Sequence, residues 1–304
     1  MQDLVENRNL LPSDIIEDDI RTQMPHILEI LLLDRTTSSA NKPKNIIWAN
    51  DNYKEYHAVY YAATAQIKPE LITDKRGYLI MPRALKTTAL QKKRTKTKAE
   101  VFTPTWIVKK QNDAVDTEYK TDDLETYTCR KWLEITCGEA PYMATRYDMG
   151  TGKVIPLAER EGFVDRKLAR INKEVADKAE WQRLVELAYK SSYGFEWNGD
   201  SLLLARENLL YTYRDYYIEK WGESPVYGLF EAIAIIICYN IFQMDGLTCT
   251  IPLSEKREQV WENQISFFDL GGPEKVEWRI VPGKRVKIMN WDTNKLEFFD
   301  RGIK

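Results

Sequence analysis

Between Leu133 and Leu247 short apolar runs alternate with long helical stretches, and this alternation constrains the fold more than any other feature of the chain. The runs are WLEIT (132–136), KSSYGFEW (190–197) and NIFQMDGL (240–247), each bounded by turn-forming residues and too short for a helix. Between the first two, the spacing predicts one long helix from about Asp165 to Ala188. GDSLLLARENLLYTYRDYYIEKWG (199–222) reads as a strong helix, with Asp200 or Ser201 at its cap and Gly222 at its end. LFEAIAIIICYN (229–240) continues as helix. Strand–helix–strand–helix–strand implies parallel βαβ units in an open α/β sheet. Ligands in such sheets bind beyond the carboxyl ends of the strands.

Those ends are acidic. Glu134 stands near the end of the first run and is followed by a tight turn with Gly138, whose missing side chain lets a backbone approach a ligand. Glu196 closes the second, where an acid can accept from both ribose hydroxyls. Asp245 closes the third and can accept from an adenine amino group. Three carboxylates at successive strand ends suit an adenosine ligand without a pyrophosphate, which they would repel. That excludes NAD and ATP from the expectation.

Flanking regions are read more coarsely. Ser13 predicts a helix cap, with apolar positions running to about Asp34, and His26 falls on its apolar side as a structural residue. NIIWA (45–49) and GYLIMP (77–82) read as strands, and Lys54–Ala65 fits helix or strand. Tyr53, Tyr56, Tyr60 and Tyr61 read as a hydrophobic patch or a base-stacking group. From Arg83 to Lys98 the chain is basic and lacks acids; Lys92, Lys93, Arg94, Lys96 and Lys98 are expected to contact nucleic acid, because a net charge of −2 gives no global attraction. Next, Thr103 is expected to cap a helix with Pro104 in its first turn. The C-terminal stretch VEWRIVPGKRVKIMNWDTNKLEFFD alternates as strands, with PGK and DTNK as hairpin turns. The expected organisation is an extension over 1–98, a cofactor-binding core over 99–252 and a β-hairpin extension over 253–304.

Four unpaired-looking cysteines and only two histidines imply no metal site and a reducing, cytoplasmic setting. The acidic start does not read as a signal peptide, and the most apolar run, Ala232–Phe242, is too short to span a bilayer, so no membrane is expected as partner.

Four segments resemble one family in its own order. EVFTPTWIV (100–108), LEITCGEAP (133–141), YGFEWNGDSLLLARENLL (193–210) and FQMDGL (242–247) are similar to the cofactor-site motifs of adenine-specific DNA methyltransferases of the restriction–modification type, including proteins described as restriction endonuclease subunit M. The resemblance implies a Rossmann-like methyltransferase core binding S-adenosylmethionine. Phe102, Thr103 and Pro104 would cradle the methionine end, with Glu134 and the Gly138 turn facing the amino acid or sulfonium region. Glu196 would hold the ribose, Trp197 would stack on adenine, and Asp245 would take its amino group.

Three departures accompany it. Ala140 stands at the family's second turn glycine. The interval from Glu134 to Glu196 exceeds what one helix needs. The family's Asn/Asp-Pro-Pro-Tyr/Phe tetrad, which would polarise the target amino group and stack on a flipped base, is absent; the nearest string is Glu139-Ala140-Pro141-Tyr142. No catalytic residue is therefore assigned. The expected function is methyl transfer to adenine in DNA, alone or with a partner subunit that supplies catalysis or target recognition, in a restriction–modification or phage-related system. The alternative is a catalytically silent subunit that binds nucleic acid or a partner protein.

Overall fold

The computed structural model describes residues 24, 26–39, 41–77, 79–82, 103–149, 151–260 and 277–301. The expected cap at Ser13, the basic run from Arg83 to Lys98 and Phe102 lie outside these residues.

Helix α1 (Ile27–Leu32) is followed by α2 (Thr105–Asp116), α3 (Leu124–Cys129) and strand β1 (Trp132–Glu134). Helices α4 (Phe163–Glu174) and α5 (Lys178–Lys190) lead to β2 (Ser192–Glu196). Helices α6 (Gly199–Trp221) and α7 (Tyr227–Asn240) lead to β3 (Ile241–Gln243). Then come β4 (Lys256–Val260), β5 (Glu277–Val281), β6 (Lys287–Asn290) and β7 (Lys295–Phe298). The first three strands form a parallel sheet in the order β1-β2-β3, so the expected α/β arrangement of strands joined through helices is present.

Alternation along the strands divides the sheet's two faces. Phe195 and Phe242 stand in register on one face, where Met244, Val286, Ile288 and Phe299 complete a small core. The C-terminal segment is thus a cover for the sheet, and Tyr193 donates to the Met289 carbonyl from the same side (3.3 Å). The helices, α1 among them, form the larger core, which includes Ile241. Helix α6 is its centre: every residue from Gly199 to Leu210 is buried, the polar Asp200, Ser201, Arg206, Glu207 and Asn208 included.

Arg206 lies in that helix with 0% exposure. Its guanidinium donates to the carbonyls of Leu31 and Leu33 at the end of α1, of Cys238 in the last turn of α7, and of Ile241 at the start of β3. Among the described residues no carboxylate forms an ion pair with it. The carbonyls at two helix C-termini carry the negative ends of the helix dipoles and stand in for a counter-ion. Asn208, two residues on, donates to the carbonyls of Glu139 and Ala144 (3.1 and 3.2 Å) and so fixes the turn after β1.

Several local expectations are corrected. NIIWA forms no strand: Leu33 bridges Asn45 and Ile47 bridges Gln66, and Ile47 is otherwise held by the Gln243 amide, which accepts from its N–H (2.9 Å) and donates to its carbonyl (2.8 Å). The described part of GYLIMP is bend and coil, and 54–65 is a series of turns. The stretch 165–188 is two helices, because Asp177 accepts from the Glu180 N–H (2.8 Å) and starts a new one. Pro104, rather than Thr103, is the cap residue of α2. Asn198 precedes α6, while Asp200 is turned to the N-terminal segment, accepting from Asn50 and from the Tyr53 hydroxyl (2.8 Å). DTNK does join a hairpin, β6 to β7, but β5 pairs with β4 instead of β6, so PGK turns no hairpin. His26 is exposed beside Glu29, not packed inward. Tyr53 and Tyr61 are core, whereas Tyr56 and Tyr60 are exposed.

Removing Arg206 should leave four buried carbonyls short of a donor and release α1. We expect Arg206→Leu to lose more than about 3 kcal/mol of stability in urea unfolding. Wild-type stability in that variant would show that the clamp is dispensable.

Candidate functional site at the strand ends

The turn after β1 has an unusual backbone. Thr136, Gly138 and Ala140 have φ of 47°, 55° and 60°, all left-handed. Only glycine adopts this region without cost. Ala140, expected by resemblance at a glycine position, has the conformation a glycine would take. At Gly138 a Cβ would meet nothing within 4 Å, so the turn's backbone faces open space there.

The two strand-end glutamates fasten this turn. Glu196, 7% exposed, accepts from the Gly138 N–H through Oε2 (2.9 Å) and from the Asn198 N–H and side-chain amide through Oε1 (3.0 and 3.1 Å). A carboxylate has about four acceptor positions, so one on Oε2 remains. Glu134, 6% exposed, accepts from the N–H groups of Tyr142 (3.2 Å) and Met143 (3.0 Å). Burial pushes its carboxyl up to about 8 against those two bonds, and the neighbouring Glu196 adds to the rise. Burial also raises Glu196, opposed by its bonds from Asn198 and Gly138.

Glu134, Gly138 and Glu196 thus converge on one turn. Trp197 is beside them but committed: its indole donates to the Ala49 carbonyl (2.8 Å), and its own carbonyl accepts from Gln243 (2.8 Å). Asp245 stands apart. It accepts from the Leu247 N–H and the Thr248 hydroxyl (both 2.9 Å), shaping its own turn, and its backbone bridges to Thr250. β3 is an edge strand of the described sheet. Leu133 on β1 and Ile135 just after it are 46% and 65% exposed.

Thr103 and Pro104 lead into α2, which reaches the site through the loop after the turn. Thr105 donates to Asp148 (2.8 Å), and Asn112 donates to the Tyr142 and Glu161 carbonyls (3.1 and 2.9 Å). The Glu139-Ala140-Pro141-Tyr142 string is structural: Glu139 is 1% exposed and accepts from the Tyr147 hydroxyl (2.7 Å), while Tyr142 bonds Gln111. The positioning roles of Asn198 and Gln243 escaped the sequence reading; an amide directly after the strand-end acid is the one signal that could have shown the first. A groove of about 270 Å³ lies on the far side of Gln243, lined by Asp34, Thr37, Lys44, Ile47, Leu253 and Lys284 among others, and no strand-end acid lines it. The glutamates are the better candidates because burial and backbone donors converge on them. Among the described residues no cluster of His, Cys, Asp or Glu is arranged to hold a metal ion, and no helix is long and apolar enough to cross a membrane.

The raised Glu134 carboxyl has a pH consequence. The folded chain holds a proton there that the unfolded chain, with the ordinary value of 4.5, releases. This contribution to stability is complete below 4.5 and is lost as pH rises through about 8. Asp165, pushed up to about 6 by burial, adds to the lower half of that fall. Unfolding free energies measured between about pH 6 and 8 should fall less steeply in Glu134→Gln than in wild type; equal slopes would exonerate Glu134.

Compared with known proteins, the chain matches no family model, no curated protein and no solved structure.

Proposed function

We propose that the chain is an S-adenosylmethionine-binding protein of the DNA adenine methyltransferase lineage, with a Rossmann-like core. The observation that carries this reading is the pairing of Glu196 with the Gly138 turn: a buried carboxylate at the end of the central parallel strand, set against a left-handed turn with open space before it. The residues fit the cofactor in kind. Glu196 keeps an acceptor position for a ribose hydroxyl and the Gly138 backbone admits close approach; a sulfonium beside Glu134 would favour the ionised form of a carboxyl that burial otherwise keeps protonated up to about pH 8. When bound, S-adenosylmethionine would supply an electrophilic methyl group. The protein's own part is to orient it and keep the strand-end carboxylates turned toward it.

Titration calorimetry of the whole chain with S-adenosylmethionine should give saturable heat that Glu196→Ala abolishes. No heat from wild type, or equal heat from the variant, would refute the assignment.

A second reading is a catalytically silent subunit acting through DNA or a partner. It is favoured by the missing tetrad and by the buried Glu139 in the nearest string. Tritiated methyl incorporation into DNA by the isolated chain would dismiss it; incorporation only with a neighbouring gene product would support it. DNA contact is assigned to the basic run. Reversing charge at Lys92, Lys93 and Arg94 should abolish salt-sensitive DNA binding, and unchanged binding would clear that run of the role.

A further inference from the structure

Away from the strand ends, three arginines gather where the loop before α4 meets the outer half of α6. Arg146 Nε and Arg160 Nη2 both approach the same oxygen of Asp215, at 3.1 and 2.8 Å. Arg146 and Arg214 lie on the Tyr211 ring, 5.3 and 4.3 Å from its centroid. Arg146 is 8% exposed, and the Arg160 side chain 7%. Asp165, fully buried, caps α4 through one oxygen, which accepts from Thr145 and Gly162.

The cluster has more donors than it can use. Arg146 Nη1, Arg160 Nη1, Arg214 Nε and the Tyr216 hydroxyl are buried without a hydrogen-bond partner in the protein. At the cap of α4 the other oxygen of Asp165 is left over as an acceptor. The three guanidinium groups thus gather around Asp215 and Asp165, and the surplus is in N–H groups. Buried donors without partners are rare and call for an explanation. A cation would worsen the imbalance, whereas a multivalent oxyanion supplies acceptors and negative charge together. Asp215 is the outlet, because its side chain is 20% exposed while those of Arg146 and Arg160 are covered. The fields agree with this geometry. Burial and the neighbouring Arg146 both depress Arg214, while at Asp215 the two arginines outweigh burial and hold the carboxyl low.

We propose that Arg146, Arg160 and Arg214 form a binding site for a phosphate group, whose oxygens replace the Asp215 carboxylate between the guanidinium groups. Asp215 is then the resident anion of the site, swinging outward when phosphate enters. The phosphate is free or carried on a polynucleotide backbone; the chemistry of recognition is shared. None of the strand-end residues takes part, so the site stands or falls independently of cofactor binding.

Inorganic phosphate should raise the melting temperature of the whole protein relative to chloride at equal ionic strength, and calorimetry should give saturable binding. Arg214→Gln, which breaks no ion pair, should weaken that binding by roughly tenfold, and Arg160→Gln by at least as much. Asp215→Asn should strengthen it by roughly tenfold, since it removes the competing charge and leaves a side chain of the same shape. A purely structural role for the cluster predicts weaker or unchanged binding in Asp215→Asn. Phosphate indistinguishable from chloride, binding undiminished in Arg214→Gln, or no gain in Asp215→Asn would each overturn the proposal. Competition by a short oligonucleotide would identify a polynucleotide as the phosphate source, and its absence free phosphate.

Discussion

A single buried cation holds the larger core together. Arg206 takes the carbonyls that end α1 and α7 and the first carbonyl of β3, so one side chain joins the N-terminal segment, the second crossover and the sheet. Burying a guanidinium without a carboxylate is costly unless its donors are satisfied. Here the helix termini do both tasks: their orphaned carbonyls need donors, and their partial charge offsets the cation. Because α6 also carries Asn208, which grips the turn after β1, the placement of the candidate site follows from the same helix.

That dependence changes how the ARENL segment is understood. By resemblance it belongs to a cofactor-site motif, yet its Arg and Asn act on backbone carbonyls at some remove from Glu196. They set the distance between strand ends and turn, and Glu196 and Glu134 then complete the turn with their own carboxylates. The site is an arrangement of backbone held open by side chains, in which the left-handed residues at 136, 138 and 140 are kept in place by bonds from both flanking strands.

Much of this was legible in the sequence. Apolar runs bounded by Gly and Asp located β1, β2 and β3, and their parallel order followed from the intervening helices. Glu134 and Glu196 were identifiable because a strand's last residue is fixed by where its apolar pattern stops. Pairing partners were less legible. Alternation marks β5 as a strand but is silent on whether β4 or β6 lies beside it. The break at Asp177 was hidden because amphipathic spacing continues across it. At NIIWA the obstacle was chemical: the primary amide of Gln243 imitates a peptide group, donating to and accepting from Ile47, so a side chain replaces the neighbouring strand that a pattern of apolar residues would suggest. The partners of the two glutamates were equally hidden, since all their donors but the Asn198 amide are backbone N–H groups of residues chosen for other reasons.

The small core beneath the sheet has a consequence for synthesis. Phe195 and Phe242 belong to strands that can pair as soon as α7 is complete, but the residues that cover them, Val286, Ile288 and Phe299, are translated later. Until that hairpin arrives, a parallel sheet with an aromatic face is exposed to water on the ribosome. Parallel sheets form slowly and their uncovered faces associate readily. The interval between Phe242 and Phe299 is therefore the stretch of translation during which this chain is most exposed to self-association, and during which a chaperone would have the most apolar surface to hold.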